Sequence, residues 1–156
     1  MTRDPSALGL DFGTTNTVVA LADGSGSTEL VEFAGEDATG AVFRSALCFW
    51  EEERAWQGVA HDAGPWAIAE YLQSPLDSRF VQSFKSVAAS PSFERALIFN
   101  KPYRFEDMGR LFLQRLVAHA GGFLPYIAWR LSLANEMPAL AAKVPGGVLA
   151  AVRSFY

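Results

Sequence analysis

Three observations predict an α+β fold with a mixed sheet for this chain. Apolar runs at residues 7–12, 17–22 and 30–33 are separated by short polar turns, as in an antiparallel meander. Further β-rich runs follow, and the best helical pattern comes late, at residues 106–120. Strands followed by an amphipathic helix are typical of a layered α+β domain whose helices cover one face of the sheet.

The composition is that of a globular domain. The chain has 156 residues, half of them apolar, which is enough to bury a proper core. A net charge of −4 argues against nucleic acid or an acidic membrane surface as the main partner. The single cysteine, Cys48, cannot form an internal disulfide, and we expect it to be a buried thiol in a reducing, cytoplasmic compartment.

No targeting or membrane segment is expected from the sequence. The first apolar run meets Asp11 too soon to be a secretory signal. The best membrane candidate, residues 123–134, is too short and contains Arg130. We therefore expect no membrane partner.

The turn between the first two apolar runs is the most informative stretch. Residues 8–17 read Leu-Gly-Leu-Asp-Phe-Gly-Thr-Thr-Asn-Thr. Gly13 allows backbone angles closed to other residues, and successive N–H groups in such a turn form an anion-binding concavity. Asp11, at the strand end, supplies the hard oxygen that Mg²⁺ with its retained waters prefers. Hydroxyl donors are expected from Thr14, Thr15 and Thr17.

This segment resembles the first phosphate motif of the actin-like ATPase superfamily, which includes sugar kinases, actins and the heat-shock-70 chaperones. Its run at residues 11–16, Asp-Phe-Gly-Thr-Thr-Asn, is most similar to the heat-shock branch. A second run at residues 79–86, Arg-Phe-Val-Gln-Ser-Phe-Lys-Ser, resembles a segment of the shorter DnaK-like chaperones of bacteria. The likeness spans roughly residues 7–120 and implies a ribonuclease-H-like first lobe of a nucleotide-binding domain.

The resemblance also implies a function and its cofactors. A full-length relative would bind ATP with Mg²⁺ and couple the nucleotide to client or co-chaperone binding. Asp11 would hold the metal through water. The phosphate-binding residues implied are Gly13, Thr14, Thr15, Asn16 and Lys85.

One departure from the family concerns a lysine near the phosphates. Heat-shock chaperones carry a Gly-Asp-Ala-Ala-Lys-like run, and the nearest run here, residues 58–62, ends in Asp62. Lys85 is then the closest alternative cation, although a solvated surface lysine is an equal alternative. The second phosphate loop of the superfamily is also not found in the sequence. We therefore expect ATP contact without turnover by this chain.

Other interpretations stay open at this point. An ordinary β-hairpin with a polar turn would explain residues 8–22 without a ligand. A sugar or acid kinase of the same superfamily would share the turn but needs a catalytic Asp, which we do not find. An interaction fragment or a nonfunctional gene remnant would need no site. His61 and His119 have no metal-ligand spacing.

The rest of the chain predicts shorter elements and a change of character near residue 121. Residues 1–120 hold ten Lys and Arg against sixteen Asp and Glu, and residues 121–156 hold three against one. With its three prolines, the second stretch is predicted to be a divergent or frame-shifted tail after a partial nucleotide-binding lobe. The elements predicted in between are a turn at 23–27, strands at 41–50 and 54–57, and a helix at 59–72 with Pro65 in its first turn. A short strand or irregular run is predicted at 80–84, and a hairpin with strands at 96–99 and 103–105 around residues 100–102.

Overall fold

The structure is a computed structural model that describes residues 5–23, 25–34, 39–90 and 92–120. It is an α+β fold with, within those ranges, two α-helices. Every strand pair in the described ranges is antiparallel, so the predicted mixed sheet is not found there. The predicted tail at residues 121–156 lies outside the described residues. The strands are β1 (Pro5–Phe12), β2 (Asn16–Asp23), β3 (Thr28–Leu30), β4 (Phe33–Ala34), β5 (Thr39–Gly40), β6 (Phe43–Arg44), β7 (Ala46–Glu51), β8 (Val59–Ala63), β9 (Ser78–Gln82), β10 (Ala96–Ile98) and β11 (Lys101–Tyr103). The helices are α1 (Gly64–Gln73) and α2 (Phe105–His119), with 3₁₀ helices at Trp56–Gly58 and Phe84–Ala89.

The predicted antiparallel meander is confirmed. β1 pairs with β2 through a register that ends at Phe12 opposite Thr17, and β3 pairs with the far end of β2, where Leu30 faces Ala20. β6 pairs with the start of β2, so β2 is the strand that joins all members of this sheet. The turn that follows Phe12 therefore lies at the sheet end where three strands meet.

The third strand of the meander was predicted too late in the chain. β3 ends at Leu30, and residues 33–34 form the separate strand β4, which pairs with β5. The physical reason is the side chain of Phe33, which is 2% exposed and packs at 4.8 Å, between ring centroids, on Phe43 in the core. Burying this ring turns the chain away from the sheet direction.

The prediction of a strand at residues 54–57 is wrong, and so is the first part of the helix predicted at 59–72. Residues 56–58 form a 3₁₀ helix, and the returning strand is β8, which pairs with β7. The buried residues Val59 and Ala63 are four apart, a spacing that fits one face of a helix and one face of a strand equally well. Pro65 lies in the first turn of α1, as predicted.

The predicted late helix is confirmed as α2, and the predicted hairpin forms, but its second strand is at 101–103 and not at 103–105. The hairpin β10–β11 turns at Phe99 and Asn100, which both adopt left-handed backbone angles with φ of 47° and 60°. α2 starts at Phe105, and its N-terminus is capped where the Arg104 N–H donates to Asp107 Oδ2 at 2.9 Å. Within the described ranges no helix is both long and apolar enough to cross a membrane.

Phe112 of α2 joins the sheet to the segment that follows β9. It is fully buried, and its ring centroid lies 5.2 Å from that of Phe12, 5.4 Å from that of Phe43 and 5.6 Å from that of Phe84. These three partners come from β1, β6 and the second 3₁₀ helix. One side chain of α2 thus fixes three segments that are distant in sequence.

Candidate phosphate site

The turn at Gly13–Asn16 is closed by its own backbone. The Gly13 N–H donates to the Asn16 carbonyl oxygen at 3.0 Å, and a Cβ at position 13 would overlap that oxygen, so only glycine fits. Thr14 and Thr15 form the tip of the turn and are exposed. Asp11 is also exposed, on β1 just before the turn. Of the residues predicted to hold the phosphates and the metal, these five therefore lie together at one end of the sheet.

The backbone donors at the tip of this turn are open. Within the described part of the chain, no acceptor pairs with the N–H of Thr14 or of Thr15. The Gly13 N–H, in contrast, is engaged inside the turn. Two successive exposed N–H groups can donate to the oxygens of an anion, and the adjacent hydroxyls add further donors.

Ser45 supports the turn through hydrogen bonds to its backbone. It was not among the residues predicted from the sequence. It is 2% exposed; its Oγ donates to the Gly13 carbonyl oxygen at 2.8 Å, and its N–H donates to the Thr15 carbonyl oxygen at 2.8 Å. Ser45 Oγ also lies 2.9 Å from Thr17 Oγ1. Because the single serine proton is directed at Gly13, Thr17 must be the donor in that second contact.

The expectation that Thr17 adds a hydroxyl donor to the ligand site is wrong. Thr17 is completely buried, and its hydroxyl is used by Ser45. A polar residue inside the β-rich run at residues 41–50 was the signal that could have pointed to Ser45. Its partners could not be read from the sequence, because they depend on how β6 pairs with β2.

Lys85 lies against the strand end that leads into the turn. Its Nζ donates to the carbonyl oxygen of Phe12 and lies 5.0 Å from the centroid of the Phe12 ring. Ser83, with φ of 54°, directs the chain from β9 into the 3₁₀ helix that carries Lys85. Phe84 is 2% exposed and packs against Phe12, with 5.8 Å between the ring centroids. The structure thus brings Lys85 to the turn.

Arg44 is a second cation at the turn, and the sequence analysis did not single it out. It faces Asn16 across the β2–β6 pairing, and its Nη1 donates to Asn16 Oδ1 at 2.8 Å. Among the described residues, neither Arg44 nor Lys85 forms an ion pair with a carboxylate. Both cations are therefore fixed at the turn by neutral oxygen acceptors.

Asp62 forms a contact with the end of α2. Its Oδ1 lies 2.7 Å from His119 Nε2, and it accepts a hydrogen bond from the Ala63 N–H at 2.7 Å. The His119 ring stacks on Trp66, with 3.5 Å between centroids. Arg115 donates to the carbonyl oxygen of His61 through Nε and Nη2. This cluster connects the end of α2 to β8 and α1.

Burial shifts the pKa values of two other titratable candidates, Cys48 and His61. Burial raises the pKa of the Cys48 thiol, which therefore stays protonated and is a poor nucleophile. Burial lowers the pKa of His61, and the nearby Arg115 guanidinium adds to this effect. Among the described residues, no group of three His, Cys, Asp or Glu is arranged to hold a metal ion.

Asp23 lies at the start of the turn predicted at residues 23–27, which connects the paired strands β2 and β3. Asp23 Oδ1 accepts hydrogen bonds from the N–H of Ser25 at 2.8 Å and of Ser27 at 3.1 Å. The Ser25 hydroxyl donates to the same oxygen at 2.6 Å, and this bond is the main reason that the pKa of Asp23 is lowered. The carboxylate is therefore occupied by its own turn.

No protein-family model matches this chain, and no curated protein is significantly similar to it.

We predict that Ser45→Ala destabilises the protein by about 1–3 kcal/mol, because it leaves the Gly13 carbonyl and the buried Thr17 hydroxyl without their partner. Urea unfolding measures the loss, and amide exchange at Gly13, whose N–H is bonded inside the turn, should become faster. Ser90→Ala is the matched control, since Ser90 is exposed and its hydroxyl contacts the exposed Ser92. Equal losses in the two variants would show that Ser45 does not support the turn.

Proposed function

We propose that this chain binds the phosphates of ATP, together with Mg²⁺, at the Gly13–Asn16 turn, as the first lobe of a heat-shock-70-like nucleotide-binding domain. The observation that carries the proposal is the contact of Lys85 Nζ with the Phe12 carbonyl oxygen, 73 residues away in sequence. The two segments that carry the family resemblance are separate in the chain and meet at this contact. An ordinary hairpin does not need a contact with a segment so distant in the chain.

The chemistry of the residues fits a bound phosphate. The N–H groups and hydroxyls of Thr14 and Thr15 would donate to phosphate oxygens, and the Lys85 ammonium would balance their charge. Gly13 lets the ligand approach the backbone, and Asn16 closes the turn behind it.

Asp11 fits a metal held through water. It is exposed and, among the described residues, its carboxylate has no hydrogen-bond donor or cation as a partner. A single carboxylate beside a phosphate site suits Mg²⁺, which keeps several waters and takes its other ligands from phosphates. When bound, the metal would supply charge neutralisation between phosphate oxygens.

The proposed activity is binding without turnover by this chain alone. Hydrolysis in the actin-like superfamily requires the phosphates to be gripped from two sides. The described residues supply one side, with a turn, a cation and one carboxylate. Coupling of nucleotide to client or co-chaperone binding belongs, in this proposal, to longer relatives.

Asp11→Asn tests the metal's role in the proposed function. We expect the variant to bind ATP in the presence of Mg²⁺ on the order of 10-fold more weakly, because the carboxylate charge that orients metal-bound water is lost. Binding without Mg²⁺ should change much less. Isothermal titration calorimetry with and without Mg²⁺ measures both, and Asp77→Asn in the exposed α1–β9 turn is the control. Equal losses with and without the metal would reject the role of Asp11, and no ATP binding by the unaltered chain would reject the proposed function.

A further inference from the structure

We propose that Arg44 is a second phosphate ligand, so that Arg44 and Lys85 form a two-cation clamp that takes a polyphosphate chain and not a single phosphate. This inference rests on the proposed function in that both use the same turn. It adds a residue that the family resemblance does not supply, and it specifies the class of ligand.

The two cations contact different strands of the hairpin that carries the turn. Arg44 lies opposite Asn16, the first residue of β2, which leaves the turn. Lys85 is bonded to Phe12, the last residue of β1, which enters it. Phe12 and Thr17 are direct partners in the hairpin, so the two positive groups flank its closed end.

The Arg44 side chain is oriented but retains donor capacity. A guanidinium carries five N–H donors in a planar fork, and here one nitrogen, Nη1, donates to Asn16 Oδ1 at 2.8 Å. Arg44 is exposed, so its remaining donors can reach a ligand. In this arrangement Asn16 is a positioning residue for Arg44, since its side-chain oxygen is already used.

The backbone of Arg44 is fixed from both sides. Phe43 is completely buried, and Ser45, at 2% exposure, is bonded to the turn itself. A cation that is already ordered loses less conformational entropy when a ligand binds. The guanidinium of Arg44 is therefore held against the Asn16 side chain, at the end of the turn, before any ligand arrives.

The local charge favours a polyanion. The chain as a whole carries a net charge of −4, yet two cations without ion pairs among the described residues meet at one turn. Asp11 is the carboxylate on the adjoining strand end, and Mg²⁺ would offset its charge. With Mg²⁺ in place, the two cations and the metal together carry more positive charge than one phosphate group neutralises, and a di- or triphosphate matches them better.

The test uses calorimetry on the full chain with inorganic tripolyphosphate, orthophosphate and ATP as probes. Arg44→Gln should weaken tripolyphosphate and ATP binding roughly 10-fold, because a charged, forked donor is lost. Arg44→Lys should give an intermediate loss, since it keeps the charge without the fork. Orthophosphate should bind more weakly than tripolyphosphate and respond less to either change. Arg54→Gln, at an exposed position after β7, is the control.

The outcomes separate this inference from the proposed function. Arg44-dependent tripolyphosphate binding without ATP binding would support the clamp and overturn the ATP proposal. ATP binding that is unchanged in both Arg44 variants would overturn the clamp and leave the ATP proposal standing. A lack of binding by any probe would overturn both. Circular dichroism on each variant ensures that a lost fold is not taken for lost binding, and Arg44→Lys serves if Arg44→Gln does not fold.

Discussion

Phe112→Ala should lower the free energy of unfolding by about 3–5 kcal/mol, the range for removing a large aromatic side chain from a core. The ring is fully buried and contacts Phe12, Phe43 and Phe84. Its removal leaves a cavity where three segments meet. We also expect phosphate binding to weaken in the folded fraction, because each partner ring directly precedes a residue of the site. Those residues are Gly13, Arg44 and Lys85.

Urea unfolding at 25 °C measures the first effect, and calorimetry with ATP well below the unfolding midpoint measures the second. Phe112→Leu should lose less than Phe112→Ala, since leucine refills part of the cavity. Gln114→Ala on the exposed side of α2 is the control for helix propensity and should change stability by less than about 0.5 kcal/mol. A loss of stability with unchanged ligand affinity would show that the site does not depend on this ring.

Gly64→Ala is expected to be the second most damaging change, by about 2–4 kcal/mol when overpacking and backbone strain act together. Gly64 starts α1 with φ of 66°, a left-handed conformation that alanine adopts only at a cost. A Cβ there would also lie within 2.6 Å of the Phe43 ring carbons Cε1 and Cε2. Because Phe43 is completely buried, its ring has little room to move.

Gly26→Ala separates the cost of backbone strain from the cost of overpacking against Phe43. Gly26 has φ of 86°, but a Cβ there would meet no atom within 4 Å, so this variant reports the backbone cost alone. Thermal unfolding of both variants gives the difference, which is the cost of the contact with Phe43. Equal destabilisation by the two substitutions would mean that the ring moves aside freely. A strained variant that still folds should also show altered binding at Arg44, the residue after Phe43.

Local features of the fold were predictable from the sequence, because their causes are local. The hairpin β1–β2 follows from two apolar runs around a turn that contains Gly13, and α2 follows from its apolar stripe and its capping Asp107. The boundary between β8 and α1 was not predictable in the same way, because Val59 and Ala63 fit both periodicities. These residues form a strand because they pair with β7, and this pairing is a tertiary contact.

The candidate site likewise contains residues with a local sequence signal and residues without one. Asp11 and the turn could be found from a short stretch of sequence, whereas Lys85 came only from a resemblance. Arg44 and Ser45 had no sequence signal strong enough to select them, since their importance depends on the short pairing of β6 with β2. Residues that act across strands are specified by register, and register is a property of the whole sheet.

The position of Phe112 in the chain has a consequence for protein synthesis. The ribosome releases the Gly13–Asn16 turn first, then Arg44, then Lys85, and α2 last. The Phe112 ring of α2 joins the segments that carry these residues. In a growing chain that does not yet include α2, these groups lie on segments that Phe112 does not yet hold together. The ability to retain a ligand would therefore arise abruptly and late during translation, when the last of these elements docks.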